Sequence, residues 1–269
     1  MRQNTDEPIL VLGGTGKTGR RVAARLQERG RVVRIGSRSG VPPFDWNAPA
    51  RWEPVVGGAK AVYVTYYPDV SVPGAAETVG AFADLAVQKG VQRLVLLSGR
   101  GEPEAMRVER AVQAAGVDWT VLRCSWFNQN FSEGYLLESV LSGEVALPVD
   151  GVPEPFVDTE DIADVAVAAL TDDTHAKQVY ELTGPSSLRF DEAVDQIADA
   201  CGRPLRFAPV SIDEFVAALA NAEVPEQDIA LLRYLFAYSG PGATDAGRSG
   251  TRRSLGATGP RGRRAPPAG

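Results

Sequence analysis

A run of four apolar residues, Ile9-Leu10-Val11-Leu12, empties into a glycine-rich turn, Gly13-Gly14-Thr15-Gly16-Lys17-Thr18-Gly19-Arg20. Beyond it Val22, Ala23 and Leu26 recur at helical spacing, and Gly30 stands where that helix would stop. Strand, glycine turn and helix in that order are the setting in which such a turn grips a dinucleotide. The glycines fit two spacings. Gly14, Gly16 and Gly19 give G-x-G-x-x-G, whereas Gly13, Gly16 and Gly19 give G-x-x-G-x-x-G. On either spacing they allow a tight turn, close approach of backbone to a pyrophosphate, and close helix–strand packing. The helix N-terminus adds free N–H groups and a partial positive charge. Thr15, Lys17 and Thr18 are expected to surround the pyrophosphate.

The chain then alternates. Residues 31–37 read as a second strand that ends in Ser37-Arg38-Ser39, where a NAD-type site would place an acid on the ribose 2′-hydroxyl. An arginine there suits a 2′-phosphate, because its planar fork makes paired, charge-assisted bonds to phosphate oxygens. The expected cofactor is therefore NADP(H) over NAD(H). Residues 61–65 read as a third strand that delivers Thr65, Tyr66 and Tyr67 to its carboxyl end, where ligands of open parallel sheets sit. Thr65 is assigned to the cofactor, and Tyr67 to the substrate. A helix over 73–89, a strand over 93–99 carrying Ser98, a helix over 102–115 and a strand over 119–123 follow. This alternation predicts an α/β fold, a doubly wound parallel sheet.

The second half is expected to supply most of a smaller α/β substrate lobe, from residues 125–236. Its opening, Cys124-Ser125-Trp126-Phe127-Asn128-Gln129-Asn130-Phe131, is aromatic and amide-rich and leaves a strand end, so Trp126, Phe127 and Asn128 are expected to shape the substrate side. Helices are expected over 132–141, over 160–170 with Asp158 or Thr159 as cap, over 190–200, from 213 and over 225–236. Extended segments are expected at 144–149, 179–183 and 205–210. From Ala237 the periodicity stops: the last residues hold eight Gly, four Pro and one large aliphatic, Leu255. Such a segment buries too little surface to offset its ordering entropy, and it is expected to be a disordered tail.

The formal charge of −6 is uneven. The tail carries six Arg against Asp245 alone, which leaves 22 basic and 33 acidic residues in the body. So acidic a body argues against nucleic acid as a partner. No apolar run is long enough to cross a bilayer, and residues 1–7 lack the apolar core of a signal peptide. Cys124 and Cys201 are far apart and read as reduced core thiols of a cytoplasmic protein. A single histidine, His175, argues against a histidine metal site or a Ser-His-Asp triad, and no metal is expected.

Taken in order, Gly13 to Gly19, the Arg38 loop, Leu96-Leu97-Ser98 and Phe156-Val157-Asp158-Thr159-Glu160-Asp161-Ile162-Ala163 resemble the NmrA-like branch of atypical short-chain dehydrogenase/reductases. Within that branch, Ser125-Trp126-Phe127-Asn128-Gln129-Asn130-Phe131-Ser132-Glu133 is similar to bacterial relatives of the ergot alkaloid reductases, of agroclavine or festuclavine dehydrogenase type. The resemblance implies hydride delivery from NADPH to an imine or iminium, an enone or a quinone-like metabolite. One departure bears on mechanism. The family's proton-donating Tyr-x-x-x-Lys is missing, with Gly101 near the Tyr place and Ala105 near the Lys place. Tyr66, Ser98 and Asn128 are then the catalytic candidates, with Glu102 a further possible hydrogen-bond donor, and Ser98 also facing the cofactor. The alternative that the resemblance allows is a non-catalytic NADP sensor coupled to a protein partner.

Overall fold

The structure is a computed structural model that describes residues 7–238. The first strand, β1 (Ile9–Leu12), is buried at all four positions, and α1 (Lys17–Glu28) packs Val22, Ala23 and Leu26 beneath it. Gly30 ends the helix in the left-handed region, at φ 70°. There follow β2 (Val33–Gly36), α2 (Trp52–Val56), β3 (Ala61–Val64), α3 (Ala75–Gln88), β4 (Arg93–Gly99), α4 (Pro103–Ala114) and β5 (Asp118–Cys124). The later elements are α5 (Asn130–Glu133), α6 (Leu137–Ser142), β6 (Glu144–Leu147), β7 (Pro153–Glu154), α7 (Thr159–Thr171), β8 (Gln178–Leu182), β9 (Leu188–Arg189), α8 (Phe190–Cys201), β10 (Arg206–Pro209), α9 (Ile212–Asn221) and α10 (Glu226–Tyr238).

Six strands form one parallel sheet in the order β2-β1-β3-β4-β5-β8. Ile9 is paired with Val33 on one side and with Ala61 on the other, so the chain reverses its direction of winding between β1 and β3. Both sheet faces are covered, which is why the central strands read as continuous apolar runs. Leu10, Leu12, Val62, Val64, Leu94 and Leu96 face a core shared with α3, α4 and the aromatic group Phe44, Trp46, Trp52 and Phe82. Ile9, Val11, Tyr63, Val95 and Leu122 face the other core, with α1 and α7.

The second half divides between two bodies. Residues expected in the substrate lobe return to the main sheet: α7 packs beside α1, and β8 is the sixth strand, pairing with β5 from Thr120↔Gln178 to Cys124↔Leu182. The reason is coverage. The apolar stripe of α7, Ile162, Ala163, Ala166, Val167 and Leu170, completes the sheet face that α1 leaves half open. Asp158 caps α7 by accepting from the Glu160 N–H. A charge network adds to this seam: Glu160 pairs with Arg21 and Arg25, and Asp164 with Arg25. What remains of the second half forms the smaller lobe around Phe131, Val145, Leu147, Phe156, Phe190, Val194, Phe215 and Phe236. It contains the parallel pair β6–β10 and the antiparallel pair β7–β9.

Two expected boundaries shift. The helix anticipated over 132–141 is broken into α5 and α6 at Gly134, where a Cβ would lie 2.8 Å from Lys17 Nζ. Cys201 is exposed at the end of α8 and is no core thiol, while Cys124 is buried. Helix α10 runs two residues into the segment expected to be a tail, whose remainder lies outside the described residues. No helix among the described residues is long and apolar enough to cross a membrane.

Candidate functional site

The turn after β1 lies where the sheet's winding reverses, the place at which open α/β sheets bind ligands. Gly13 has φ 62°, and a Cβ there would lie 2.3 Å from Thr65 Oγ1. That hydroxyl donates to the Leu12 carbonyl (3.1 Å), so Thr65 holds the two strand ends together. A Cβ at Gly19 would lie 2.2 Å from the Gly13 carbonyl oxygen, and one at Gly14 would meet Ile35 at 2.8 Å. Gly16 differs. Its Cβ would meet only the Gly13 carbonyl, at 3.2 Å, and Gly16 is exposed together with Thr15. It is the N-cap of α1, with no side-chain cap and no acid in the first turn. The end of the helix therefore presents open N–H groups and uncompensated positive charge, and these residues fit a pyrophosphate.

Two neighbours are not where the sequence suggested. Thr18 is buried under the turn beside the phenol of Tyr63, so its side chain shapes the corner from behind. Lys17 is half-buried and turns its Nζ to Asn130 Oδ1 (2.7 Å), with burial drawing its pKa down. Its amine thus ties α1 to α5, a seam reinforced by Glu133 pairing with Arg20 and Arg21.

On the β2 side, Ser37, Arg38 and Ser39 form the expected turn, with the two serine hydroxyls 3.4 Å apart. Arg38 is exposed and has no carboxylate partner among the described residues. Its guanidinium lies 5.0 Å from the centroid of the Tyr67 ring, a cation–π contact. Tyr67, assigned to the substrate from sequence, accordingly stands with the Arg38 turn, at the opposite end of the site. It is 64% exposed, leaving ring surface open beside the guanidinium.

On the β4–β5 side the expected catalytic residues are mostly committed elsewhere. Ser98 is buried and donates its hydroxyl to Glu109 Oε1 (2.7 Å), and Arg123 grips the same carboxylate through Nε and Nη2 (2.9 and 2.6 Å). That geometry gives Ser98 a structural bond and leaves it no proton for a substrate or cofactor. Trp126 belongs to the lobe core, its ring 5.0 Å from Phe236, 5.6 Å from Phe190 and 6.4 Å from Tyr135. Phe127 packs instead against the α1–α7 core and bridges to Val157. These adjacent aromatics insert in two different cores, so they join the lobes and do not line one pocket. Tyr66 leans on Trp46 (5.0 Å between ring centroids) at the end of β3, and Asn128 is exposed just beyond Phe127.

Three carboxylates converge at this end of the sheet, and the sequence reading singled out only Glu102 among them. Glu102 is the N-cap residue of α4, yet its side chain does not cap the helix. It folds back over Gly99, where a Cβ would lie 2.5 Å from Oε2. Burial raises its pKa to about 8, helped by the charges of Asp69 and Glu154. Asp69 is raised by burial as well, although both the N–H and the hydroxyl of Ser71 donate to its Oδ1 (2.8 and 2.6 Å). Glu154 is raised by burial and accepts from the Trp126 N–H (3.1 Å). The signal available in the sequence was the Gly99-x-x-Glu102-Pro103 spacing, a small residue one turn before an acid at a helix start. A cleft of about 560 Å³ lined by Gln92, Gln113, Asp118 and Lys177 lies at the opposite, amino ends of β4 and β5 and has no part in this site. Among the described residues no group of His, Cys, Asp and Glu is arranged to hold a metal ion.

A family model described as NAD(P)H-binding matches residues 13–173. The chain is 34% identical over 232 residues to (4-alkanoyl-5-oxo-2,5-dihydrofuran-3-yl)methyl phosphate reductase of Streptomyces griseus, covering 78% of this chain and 80% of that one. It is 29% identical over 250 residues to agroclavine dehydrogenase of Claviceps fusiformis, covering 83% of each chain. The solved structure of an NADPH-dependent quinone oxidoreductase from Escherichia coli, complexed with NADPH, superposes with a TM-score of 0.71 at 18% identity, over 84% of this chain and 87% of that one. At that identity the likeness is one of fold. With a glycine corner open to a pyrophosphate and a matching family model spanning more than half its length, the chain belongs to the NAD(P)H-binding family of Rossmann-like oxidoreductases.

Proposed function

We propose that the protein is an NADP-dependent reductase that delivers hydride to an imine or iminium, an enone or a quinone-like small metabolite, in the cytoplasm and without a Tyr-x-x-x-Lys acid. The observation that carries the cofactor choice is Arg38, an exposed guanidinium with no carboxylate partner among the described residues, in the place of a ribose-binding acid. Gly13, Thr15, Gly16 and Gly19 would hold the pyrophosphate, and Ser37, Arg38 and Ser39 the 2′-phosphate, with Tyr67 beside them. NADPH bound there supplies a hydride. The chain's part is to bind, orient and keep water from the reacting atoms, which on general grounds accounts for much of a rate enhancement. Relatives named as agroclavine dehydrogenase and as a furan-phosphate reductase support the reading, which takes the chain as a bacterial relative of the ergot alkaloid enzymes.

The absent Tyr and Lys favour a second reading, a non-catalytic NADP sensor that engages a protein partner. One experiment separates them. Wild-type protein and Arg38→Ala are titrated with NADPH and NADH by fluorescence, then assayed for NADPH oxidation with a panel of imines, enones and quinones. Charge-assisted bonds contribute about 1.5–3 kcal/mol, so Arg38→Ala should weaken NADPH by about 10- to 100-fold and NADH far less. Equal losses would remove Arg38 from cofactor selection. Binding without oxidation of NADPH by any of the panel would leave the sensor.

A further inference from the structure

Resting on the reductase reading, we propose that Glu102 is the proton donor of the reduction, in the role left empty by the missing Tyr-x-x-x-Lys. The argument begins with placement. The Arg38 turn fixes the adenosine end of the site at β2, the glycine corner fixes the pyrophosphate at β1, and the sheet continues to β3 and β4. The far end of a dinucleotide laid along that edge arrives at the carboxyl ends of β3 and β4. Glu102 stands there, its carboxyl folded across Gly99, the last residue of β4.

Bonding is the second strand of the argument. Glu102 Oε2 is buried and has no hydrogen-bond partner among the described residues. Three polar neighbours at this end are committed elsewhere: Ser98 to Glu109, Ser71 to Asp69, and the Trp126 N–H to Glu154. The electrostatic surroundings decide which carboxyl keeps its proton. Glu102 faces Asp69 from the loop after β3 and Glu154 from β7, both anionic when ionised. Arg100, two residues before Glu102 in the chain, is turned to Ser125 (3.5 Å) and Glu181 (4.0 Å), and its charge favours ionisation of Glu154. Asp69 and Glu154 accept N–H bonds that favour their ionised forms, whereas Glu102 Oε2 accepts none among the described residues. A carboxyl pushed up to about 8 is protonated at neutral pH and close enough to it to let go, which is what general acid catalysis requires.

The step balances. The electrophilic carbon of the substrate gains a hydride, and with it two electrons, from the reduced nicotinamide. The O–H bond of Glu102 breaks as a new N–H, O–H or C–H bond forms on the atom at the other end of the substrate's double bond. The Glu102 carboxylate then takes a proton from water. An acid placed here suits substrates that must gain a proton, namely neutral imines, enones and quinones, over iminium ions already charged.

The test uses the full chain. Carbon-13 labelled glutamate is followed by NMR through a pH titration of wild type, Glu102→Gln and Glu102→Asp, with assignment of the signal missing from Glu102→Gln. The proposal expects that signal to be that of a neutral carboxyl at pH 7. A carboxylate signal at that pH overturns it, whether or not a substrate is in hand. With a turned-over substrate, Glu102→Gln should lower kcat about 100-fold, near the low end for general acids, while NADPH affinity stays within about twofold. The wild-type fall in rate above about pH 8 should vanish in Glu102→Gln and return, shifted, in Glu102→Asp. Unchanged kcat and pH profile in Glu102→Gln overturn the acid role and leave the reductase standing. A wild type that oxidises NADPH with no member of the panel overturns the reductase reading, and the proposal falls with it.

Discussion

A Cβ added at Gly13 would lie 2.3 Å from Thr65 Oγ1, whereas one added at Gly16 would meet only a carbonyl oxygen at 3.2 Å. Gly13 also sits at φ 62°, where a side chain costs about 1–2 kcal/mol. Gly13 and Gly19 are thus required by the protein's own packing, and Gly16 by what approaches from outside. Gly16 has φ −80° and ψ 178°, the extended conformation of an ordinary N-cap residue. Gly16→Ser should therefore leave stability unchanged or raise it by about a few tenths of a kcal/mol, because a serine hydroxyl would cap the open N–H groups of α1. The same hydroxyl would occupy the donors a phosphate needs, so NADPH affinity should fall. Gly13→Ala should lower both. Thermal unfolding and cofactor titration of the two variants check this, and a Gly16→Ser protein that binds NADPH normally would show that the corner does not hold the pyrophosphate.

At the level of elements, the buried ion pair Glu109–Arg123 pins α4 to β5, with Ser98 of β4 as a third member. Glu109 is 2% exposed, so removing its cation leaves a buried carboxylate uncompensated, a loss of about 3–5 kcal/mol. Arg123→Leu is expected to show that loss in denaturant titration. Ser98→Ala is expected to cost about 1 kcal/mol, and to leave NADPH affinity unchanged. If Ser98→Ala instead weakened the cofactor, its hydroxyl would have to leave Glu109 on binding. This pair also marks where the sequence stops being legible. The strands and helices from β1 to β5 stand close to where periodicity put them, because each buries a stripe that its own spacing reveals. Spacing does not say against what the stripe is buried. The apolar face of α7 and the short alternation of β8 gave no sign that they close the main sheet, and Trp126 and Phe127 gave no sign that they part into separate cores.

Across the whole molecule the same divide separates the glycine corner, written in twelve consecutive residues, from the carboxylate group, which exists only after Asp69, Glu102 and Glu154 are brought together from three regions of the chain. That convergence ties stability to pH. Glu133, held down to about 2 by its bonds to Arg21 and Arg20, and Glu160, lowered by Arg21 and Arg25, are more acidic folded than unfolded. Their contribution is present above the ordinary carboxylate range and is lost as pH falls through about 2. Glu102 acts with the opposite sign. Its folded pKa of about 8 exceeds the ordinary value of 4.5, so between those limits the folded chain holds a proton that the unfolded chain has released. Stability from this group is complete below 4.5 and is lost as pH rises through about 8. Glutamine keeps the shape of the neutral acid and cannot ionise. The melting temperature of Glu102→Gln should therefore match wild type near pH 4, rise above it progressively between about pH 4.5 and 8, and keep a constant margin at higher pH, where folded and unfolded wild type are both ionised. A difference that stays flat across that range would mean that Glu102 folds as a carboxylate, solvated or paired, and that the convergence of three acids imposes no proton on it.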